Sequence, residues 1–177
     1  MTDKQEYFDF LMRKIRIAER TGVTDVSVDI PEKFKDGTTI KPHQRDAVAW
    51  AIEGGRRALF ESFGLGKTIQ QLLICNILAA HENGRALIIC PLSVKREFEN
   101  EAKRKLGIDI TYIKSQADAV SAKTSICITN YERVRDGDID VSQFVIVSLD
   151  EASVLRSYGS KTYQEFLPKF AGIKYKY

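Results

Sequence analysis

From Pro42 onward, short apolar segments alternate with longer segments whose apolar residues recur at helical spacing. The apolar segments are too uniformly hydrophobic for strands with one face in water, so they predict strands that are buried on both faces. Strands of this kind, each followed by a helix, form a parallel sheet covered by helices. The sequence therefore predicts an α/β fold with a mostly parallel central sheet and helices on both faces.

The element boundaries follow from changes in hydrophobic period and from glycine or proline interruptions. Helical spacing covers residues 43–55, 67–84, 93–107 and 160–170, with Ser93 as the candidate N-cap of the third helix. Predicted strands cover residues 56–61, 85–91, 108–113, 124–130, 144–151 and 173–177. The polar stretch after the third strand has room for a helix, and residues 131–139 predict a turn or a short helix.

The sequence ahead of this alternating region has a different character. Residues 4–20 place their apolar side chains three and four apart, which predicts an amphipathic helix that stops near Gly22. Residues 23–30 alternate and predict a short strand or an extended arm. We therefore expect an N-terminal helix and arm over residues 1–37 and one α/β domain over residues 38–177.

The composition fits a globular protein that needs no disulfides or structural metal to be stable. Of the 177 residues, 44% are hydrophobic and 29% are charged, which allows a sizeable core. The net charge of +3 is too small to indicate nucleic-acid binding by itself. No apolar stretch approaches the roughly 18 residues of a membrane span, and the polar N-terminus is unlike a secretory signal. We expect a cytoplasmic protein.

The three cysteines, Cys75, Cys90 and Cys127, each lie in an apolar segment, and none is at C-x-x-C spacing from another. This pattern is typical of small core residues in a reducing compartment. Only His43 and His81 could add imidazole ligands, so the sequence argues against a zinc site.

The five residues GLGKT, at positions 64–68, stand between a predicted strand and a predicted helix. Glycine allows successive backbone N–H groups to converge on phosphate oxygens, and the N-terminus of the next helix adds partial positive charge. Lys67 can reach the β- and γ-phosphates of ATP, and the Thr68 hydroxyl suits Mg²⁺. The candidate nucleotide contacts in this phosphate loop are Gly64, Leu65, Gly66, Lys67 and Thr68. Glu61 stands where the full G-x-x-x-x-G-K-T pattern has its first glycine.

Two adjacent carboxylates, Asp150 and Glu151, follow another predicted strand. Ligands of open parallel sheets bind at the carboxyl ends of the strands, where the phosphate loop is also expected. Asp150 is therefore a candidate Mg²⁺ ligand, and Glu151 is a candidate base that orients and deprotonates water.

These segments resemble the superfamily-2 DEAD/DEAH-box helicases and translocases, and especially the Swi/Snf-related branch with its small phage and prophage helicases. The segment ESFGLGKT is similar to the nucleotide loop of that branch, whose first position is commonly acidic, as Glu61 is. The segment SLDEAS resembles the DEAH-type motif, with Ser153 in place of histidine. The resemblance implies a RecA-like P-loop NTPase lobe.

Further segments match the family in order and imply further roles. IKPHQRDAVAW resembles the adenine-reading segment, which implies that Gln44 bonds the adenine edge; by itself Gln44 could equally cap a helix. IICPLSVKREFENEA, which contains Phe98, and ITNYERV resemble the motifs that contact nucleic acid. The implied nucleic-acid contacts are Ser93, Lys95, Asn130 and Tyr131. DEASVLRSYGSKT places Arg156, Ser160 and Lys161 as in the family.

The resemblance covers about residues 38–177 and implies the ATP-binding first lobe of an ATP-dependent, double-stranded DNA translocase or helicase. Lys67, Asp150 and Glu151 would carry the chemistry, with ATP and Mg²⁺ bound. The family's next motif is expected just after Tyr177, and a second lobe would supply an arginine finger. We therefore expect weak nucleotide binding and slow hydrolysis from these residues alone. The resemblance also suggests a bacterial or phage-infected cell.

Two other functions stay open on the sequence. The chain could be a non-catalytic module that binds nucleotide or DNA and regulates a partner. It could also be a small-molecule or nucleotide kinase, since a phosphate loop alone does not fix the reaction. The absence of an arginine-rich lid segment argues against a kinase. Lys95 and Arg96 could simply lie on a solvated helix face.

Overall fold

A computed structural model describes residues 21–23, 30–62, 64–151 and 161–177, without the side chains of residues 161–163 and 167. The helix predicted over residues 4–20 and most of the arm predicted over residues 23–30 lie outside the described residues. So do Ser153, Arg156, Ser160 and the side chain of Lys161.

The helices and strands of the described residues follow the predicted alternation. The α-helices are α1 (Pro42–Gly54), α2 (Lys67–His81), α3 (Lys95–Glu101), α4 (Gln116–Ser121), α5 (Tyr131–Arg135) and α6 (Lys161–Phe170). The strands are β1 (Ala86–Ile89), β2 (Thr111–Tyr112), β3 (Ile126–Thr129), β4 (Ile146–Leu149) and β5 (Tyr175–Lys176). Short 3₁₀ turns cover Leu92–Val94 and Val141–Gln143, and a π-helical turn covers Ala102–Leu106.

The strands form one five-stranded sheet in the order β2-β3-β1-β4-β5. All four pairings are parallel, and β1 lies between β3 and β4, with Ala86 opposite both Ile126 and Ile146. Because parallel strands end at the same edge, the segments that follow β1, β3 and β4 come together there. The predicted parallel α/β architecture is confirmed.

The apolar strands are buried because successive side chains enter different cores. Ala86 and Ile88 of β1 pack into one hydrophobic cluster, and Leu87 and Ile89 pack into the other. The first cluster contains the buried faces of α1, α2 and α3, and the second contains residues of α4, α5 and α6. Successive side chains of a strand point to opposite faces of the sheet. Because both faces are covered here, every residue of the strand has to be apolar. Cys75, Cys90 and Cys127 are buried and free, as expected of core residues.

The strand predicted over residues 56–61 is wrong in extent. The structure has only an isolated parallel bridge between Arg56 and Lys176, made by Arg57 N with Lys176 O and by Lys176 N with Gly55 O. Beyond it the backbone leaves the sheet, and the Phe60 side chain is 92% exposed. The apolar character of these residues therefore does not reflect a buried central strand.

Ser93 is not the N-cap predicted for the helix over residues 93–107. Pro91 starts a 3₁₀ turn that contains Ser93, and α3 begins only at Lys95, with Val94 at its N-cap position. Residues 92–94 form this 3₁₀ turn instead of the first turn of the predicted α-helix. Ser93 is left exposed on the turn.

The described parts of the predicted arm pack into the same core as α1. Val23, Ile30 and Phe34 belong to the first hydrophobic cluster, and Lys33 forms an antiparallel bridge with Thr39. Thr21 N and Val23 N donate to carbonyl oxygens at the end of α1. Among the described residues, no helix is long and apolar enough to cross a membrane.

A charged cluster at the amino ends of the strands joins the end of α2 to the start of β5. The Glu82 carboxylate accepts hydrogen bonds from Lys174 Nζ at 2.8 Å and from Tyr175 Oη at 2.7 Å, and His81 Nδ1 lies 3.1 Å away. The hydrogen bond from Lys174, followed by that from Tyr175, lowers the pKa of Glu82 from 4.5 to about 2. The ionised carboxylate therefore stabilises the fold.

We expect Glu82→Gln to lower the free energy of unfolding by about 1–2 kcal/mol at pH 7, because charge is lost while shape is kept. A depressed pKa means that this stabilisation is complete above the ordinary value and is lost as the pH falls towards 2. Urea unfolding of the wild type and the variant should give a difference that shrinks over that range. Glu32→Gln, at an exposed position, is the control. An equal effect from the control would contradict the assignment.

Candidate nucleotide and nucleic-acid site

The phosphate loop leads directly into the first turn of α2. Gly64 and Gly66 adopt left-handed backbone angles, with φ of 81° and 82°. A Cβ at Gly66 would lie 2.3 Å from Gln44 Nε2, whereas a Cβ at Gly64 would meet nothing within 4 Å. Both positions therefore favour glycine because of their backbone angles, and a side chain at position 66 would also displace the Gln44 amide. The fifteen-residue helix behind the loop points its positive N-terminus at this turn.

Side chains from α1 and α2 hold the loop from behind. The Leu65 carbonyl oxygen accepts from Gln44 Nε2 at 3.0 Å and from Gln70 Nε2 at 3.3 Å, and His43 Nε2 lies 3.3 Å from it. Gln70 Nε2 also donates to Glu61 Oε2 at 2.8 Å. Glu61, the residue that departs from the glycine pattern, thus braces the loop through Gln70.

Gln44, the predicted adenine contact, lies 7% exposed at the start of α1. Its Oε1 accepts from Lys41 N at 3.1 Å, which forms one half of a capping box around the helix start. The structure thus gives Gln44 a capping and loop-bracing role. Contact with adenine stays a prediction.

Lys67 and Asp150 lie close enough for their charges to interact. The Lys67 ammonium donates to the Glu61 carbonyl oxygen at 3.1 Å, and its charge also acts on Asp150. Asp150 continues the β4–β1 pairing through its N–H to Ile89 O at 2.9 Å, which fixes the backbone at the strand end. Gln71, one helical turn after Lys67, donates Nε2 to Asp150 Oδ1 at 3.3 Å.

The surroundings of Asp150 favour its neutral form. Burial is the main cause that raises its pKa, and the carboxylates of Glu151 and Glu97 add to it. The hydrogen bond from Gln71 and the charge of Lys67 act in the opposite direction. A half-buried carboxylate whose charge is only partly balanced by positive neighbours is suited to bind a cation.

Glu151 is exposed and has φ of 57°, a left-handed conformation that is unusual outside glycine. Its carbonyl oxygen lies 3.5 Å from Tyr131 Oη. The chain therefore turns sharply after Asp150, so that the two acids of the pair have different surroundings, one half-buried and one exposed.

Thr68 Oγ1 donates to Glu97 Oε1 of α3 at 3.0 Å. Magnesium prefers hard oxygen ligands and keeps several waters, so one hydroxyl and one carboxylate beside a triphosphate are enough. Among the described residues, no group of three His, Cys, Asp or Glu side chains could hold a metal on its own. That Thr68 and Asp150 bind Mg²⁺ stays a prediction; each offers an oxygen of the kind that the ion prefers.

The predicted nucleic-acid contacts follow β1 and β3, at the carboxyl edge of the sheet. Ser93 is exposed, and Lys95 forms an ion pair with Glu99 at 3.4 Å and lies over the Tyr112 ring. Asn130 has a buried Oδ1 without a hydrogen-bond partner. Tyr131 is only 8% exposed and stacks on Phe166, and Phe98 is 1% exposed in the core. Ser93 and Lys95 are thus the accessible members of this set.

Three polar residues of this site are missing from the sequence-based prediction: Gln70, Gln71 and Glu97. Gln71 could have been found, because position i+4 from Lys67 lies on the same helix face. Gln70 is completely buried beside the loop, and a buried glutamine in an apolar run is itself a signal. Glu97 gives no such signal, since it is one of several charged residues in α3.

The parallel sheet and the glycine loop at its carboxyl edge define a RecA-like lobe of the P-loop NTPase class. The family model of the SNF2-related domain matches residues 43–173. The chain therefore belongs to the SNF2-related domain family, and the predicted resemblance to Swi/Snf-type helicases is confirmed. The match starts at the second residue of α1 and ends just before β5.

Known proteins agree with this assignment. The chain is 32% identical over 90 residues to the chromatin-remodeling ATPase INO80 of Pyricularia oryzae, which is 48% of this chain and 4% of the relative. The UvsW helicase from bacteriophage T4 superposes with a TM-score of 0.72 at 18% identity, over 98% of this chain and 67% of that one. The Sulfolobus solfataricus SWI2/SNF2 ATPase core in complex with dsDNA superposes with a TM-score of 0.67 at 21% identity, over 85% of this chain and 33% of that one. The chain thus spans only a small part of the curated relative and a third of the archaeal core.

Proposed function

We propose that this chain is the ATP-binding first lobe of an ATP-dependent motor that moves along double-stranded DNA and works with a second lobe. The observation that carries the proposal is that Asp150 lies beside the helix that follows the phosphate loop: Gln71 of α2 reaches Asp150, and the charge of Lys67 acts on that carboxylate. Family membership supports an ATPase, and the DNA in the archaeal relative's structure supports the track.

Each residue of the cleft has a defined task in this proposal. The amides of residues 64–68 bind phosphate oxygens, and Lys67 leaves the Glu61 carbonyl to neutralise charge on the β- and γ-phosphates. Thr68 and Asp150 would hold Mg²⁺, and the bound ion would offset the negative charge of the phosphates. Glu151, exposed to solvent, orients a water and accepts its proton.

Nucleic acid is proposed to cross the edge formed by the ends of β1 and β3. Ser93 and Lys95 are accessible there, and a lysine and a hydroxyl bind phosphates without reading sequence. Asn130 is proposed to donate a hydrogen bond to a phosphate from its side-chain NH₂ group, and Tyr131 supports this part of the sheet by stacking on Phe166. Gln44 is proposed to read adenine with the amide that now holds Leu65.

A titration with a fluorescent ATP analogue tests the proposal. We expect Mg²⁺-dependent binding by the 177-residue chain, and DNA binding that is insensitive to sequence and weakens steeply with salt. Phosphate release should be slow alone and should rise when a second lobe and duplex DNA are supplied. Binding without release in the two-lobed protein would support the regulatory module instead. Lack of nucleotide binding would refute the motor and would leave only a regulatory module that binds DNA.

A further inference from the structure

The hydrogen bond between Thr68 and Glu97 leaves the Thr68 hydroxyl oriented. A hydroxyl has one proton and two lone pairs, and here the proton points to Glu97 Oε1 at 3.0 Å. The lone pairs therefore point away from α3. A threonine whose proton is committed in this way presents only acceptor capacity to its other neighbours, and this is what a metal ligand requires.

Packing and charge together put Glu97 at this place. Phe98, the next residue, is 1% exposed and anchors α3 in the first hydrophobic cluster. The other acids of α3 have basic partners, because Glu99 pairs with Lys95 and Glu101 pairs with Arg104. Among the described residues, no basic side chain forms an ion pair with Glu97. Its carboxylate is thus held beside Thr68 by the helix and is not neutralised there.

We propose that Glu97 is a positioning residue of the magnesium site, which fixes the Thr68 hydroxyl with its lone pairs towards the ion and ties the site to helix α3. This inference rests on the proposed nucleotide site. It also gives the cleft a direct link to the nucleic-acid edge, because Lys95 lies on the same helix and Ser93 in the turn before it.

The test measures the Mg²⁺ concentration that half-saturates binding of a fluorescent ATP analogue to the full 177-residue chain. We expect Glu97→Ala to raise that concentration about tenfold, which is typical for loss of a partner that orients a metal ligand. The melting temperature should stay unchanged, whereas a merely structural role would lower it. Glu97→Gln should lie closer to the wild type, because its amide oxygen still accepts from Thr68. Glu99→Ala is the matched control on the same helix.

The outcomes separate this inference from the function on which it rests. If the wild type binds the analogue only with Mg²⁺ and Glu97→Ala has the same Mg²⁺ dependence, Glu97 has no such role and the nucleotide site stands. If Glu97→Gln is as impaired as Glu97→Ala, the hydrogen bond is not the cause and the assignment is overturned. If the wild type shows no Mg²⁺-dependent binding, the proposed function fails and this inference fails with it.

Discussion

Lys67→Ala is expected to weaken binding of ATP·Mg²⁺ by about a hundredfold or more, because each charge-assisted contact to a phosphate contributes about 1.5–3 kcal/mol. The ammonium group is the positive side chain whose charge reaches the cleft beside Asp150. One of its partners, the Glu61 carbonyl oxygen, is a neutral acceptor that a phosphate can replace. Isothermal titration of the wild type and the variant with ATP and Mg²⁺ measures the effect.

The control for this experiment is Lys123→Ala, at an exposed position before β3 and therefore at the opposite edge of the sheet. Circular dichroism of each variant checks that the fold is retained. An affinity that is unchanged by Lys67→Ala would mean that residues 64–68 are not the nucleotide site, and the proposed function would have to be abandoned.

Glu151→Gln is expected to lower the rate of ATP hydrolysis by about 10²–10⁴-fold in a protein that has both lobes, because an amide cannot accept the proton of the attacking water. Nucleotide affinity should change little, since the Glu151 side chain is exposed and glutamine keeps its size and its left-handed backbone. Phosphate release at saturating ATP and duplex DNA, together with a binding titration, separates the two effects.

Glu132→Gln is a suitable control, because Glu132 is also exposed and lies in α5 at the same sheet edge. Hydrolysis that continues at the wild-type rate in Glu151→Gln would show that another group is the base. A parallel loss of affinity would show instead that Glu151 contributes to ground-state binding, and its role as a base would not follow.

The site was only partly predictable from the sequence. The GLGKT segment and the acidic pair were found because their residue types and spacing indicate a chemistry. The predicted parallel sheet placed both segments at the carboxyl ends of the strands. Glu97 was not found, because its role depends on which side chain of α3 faces Thr68. A charged residue in a charged helix shows no preference for one partner until the helices are packed.

The sequence by itself determined that this chain forms a parallel α/β lobe with a phosphate loop, since hydrophobic period and glycine placement are local properties. Only the tertiary structure decided that the predicted strand over residues 56–61 is a single bridge. It also decided that Glu61 contacts the phosphate loop through Gln70, and that burial raises the pKa of Asp150. Each of these depends on contacts between residues far apart in the chain, and neither local spacing nor composition encodes such contacts.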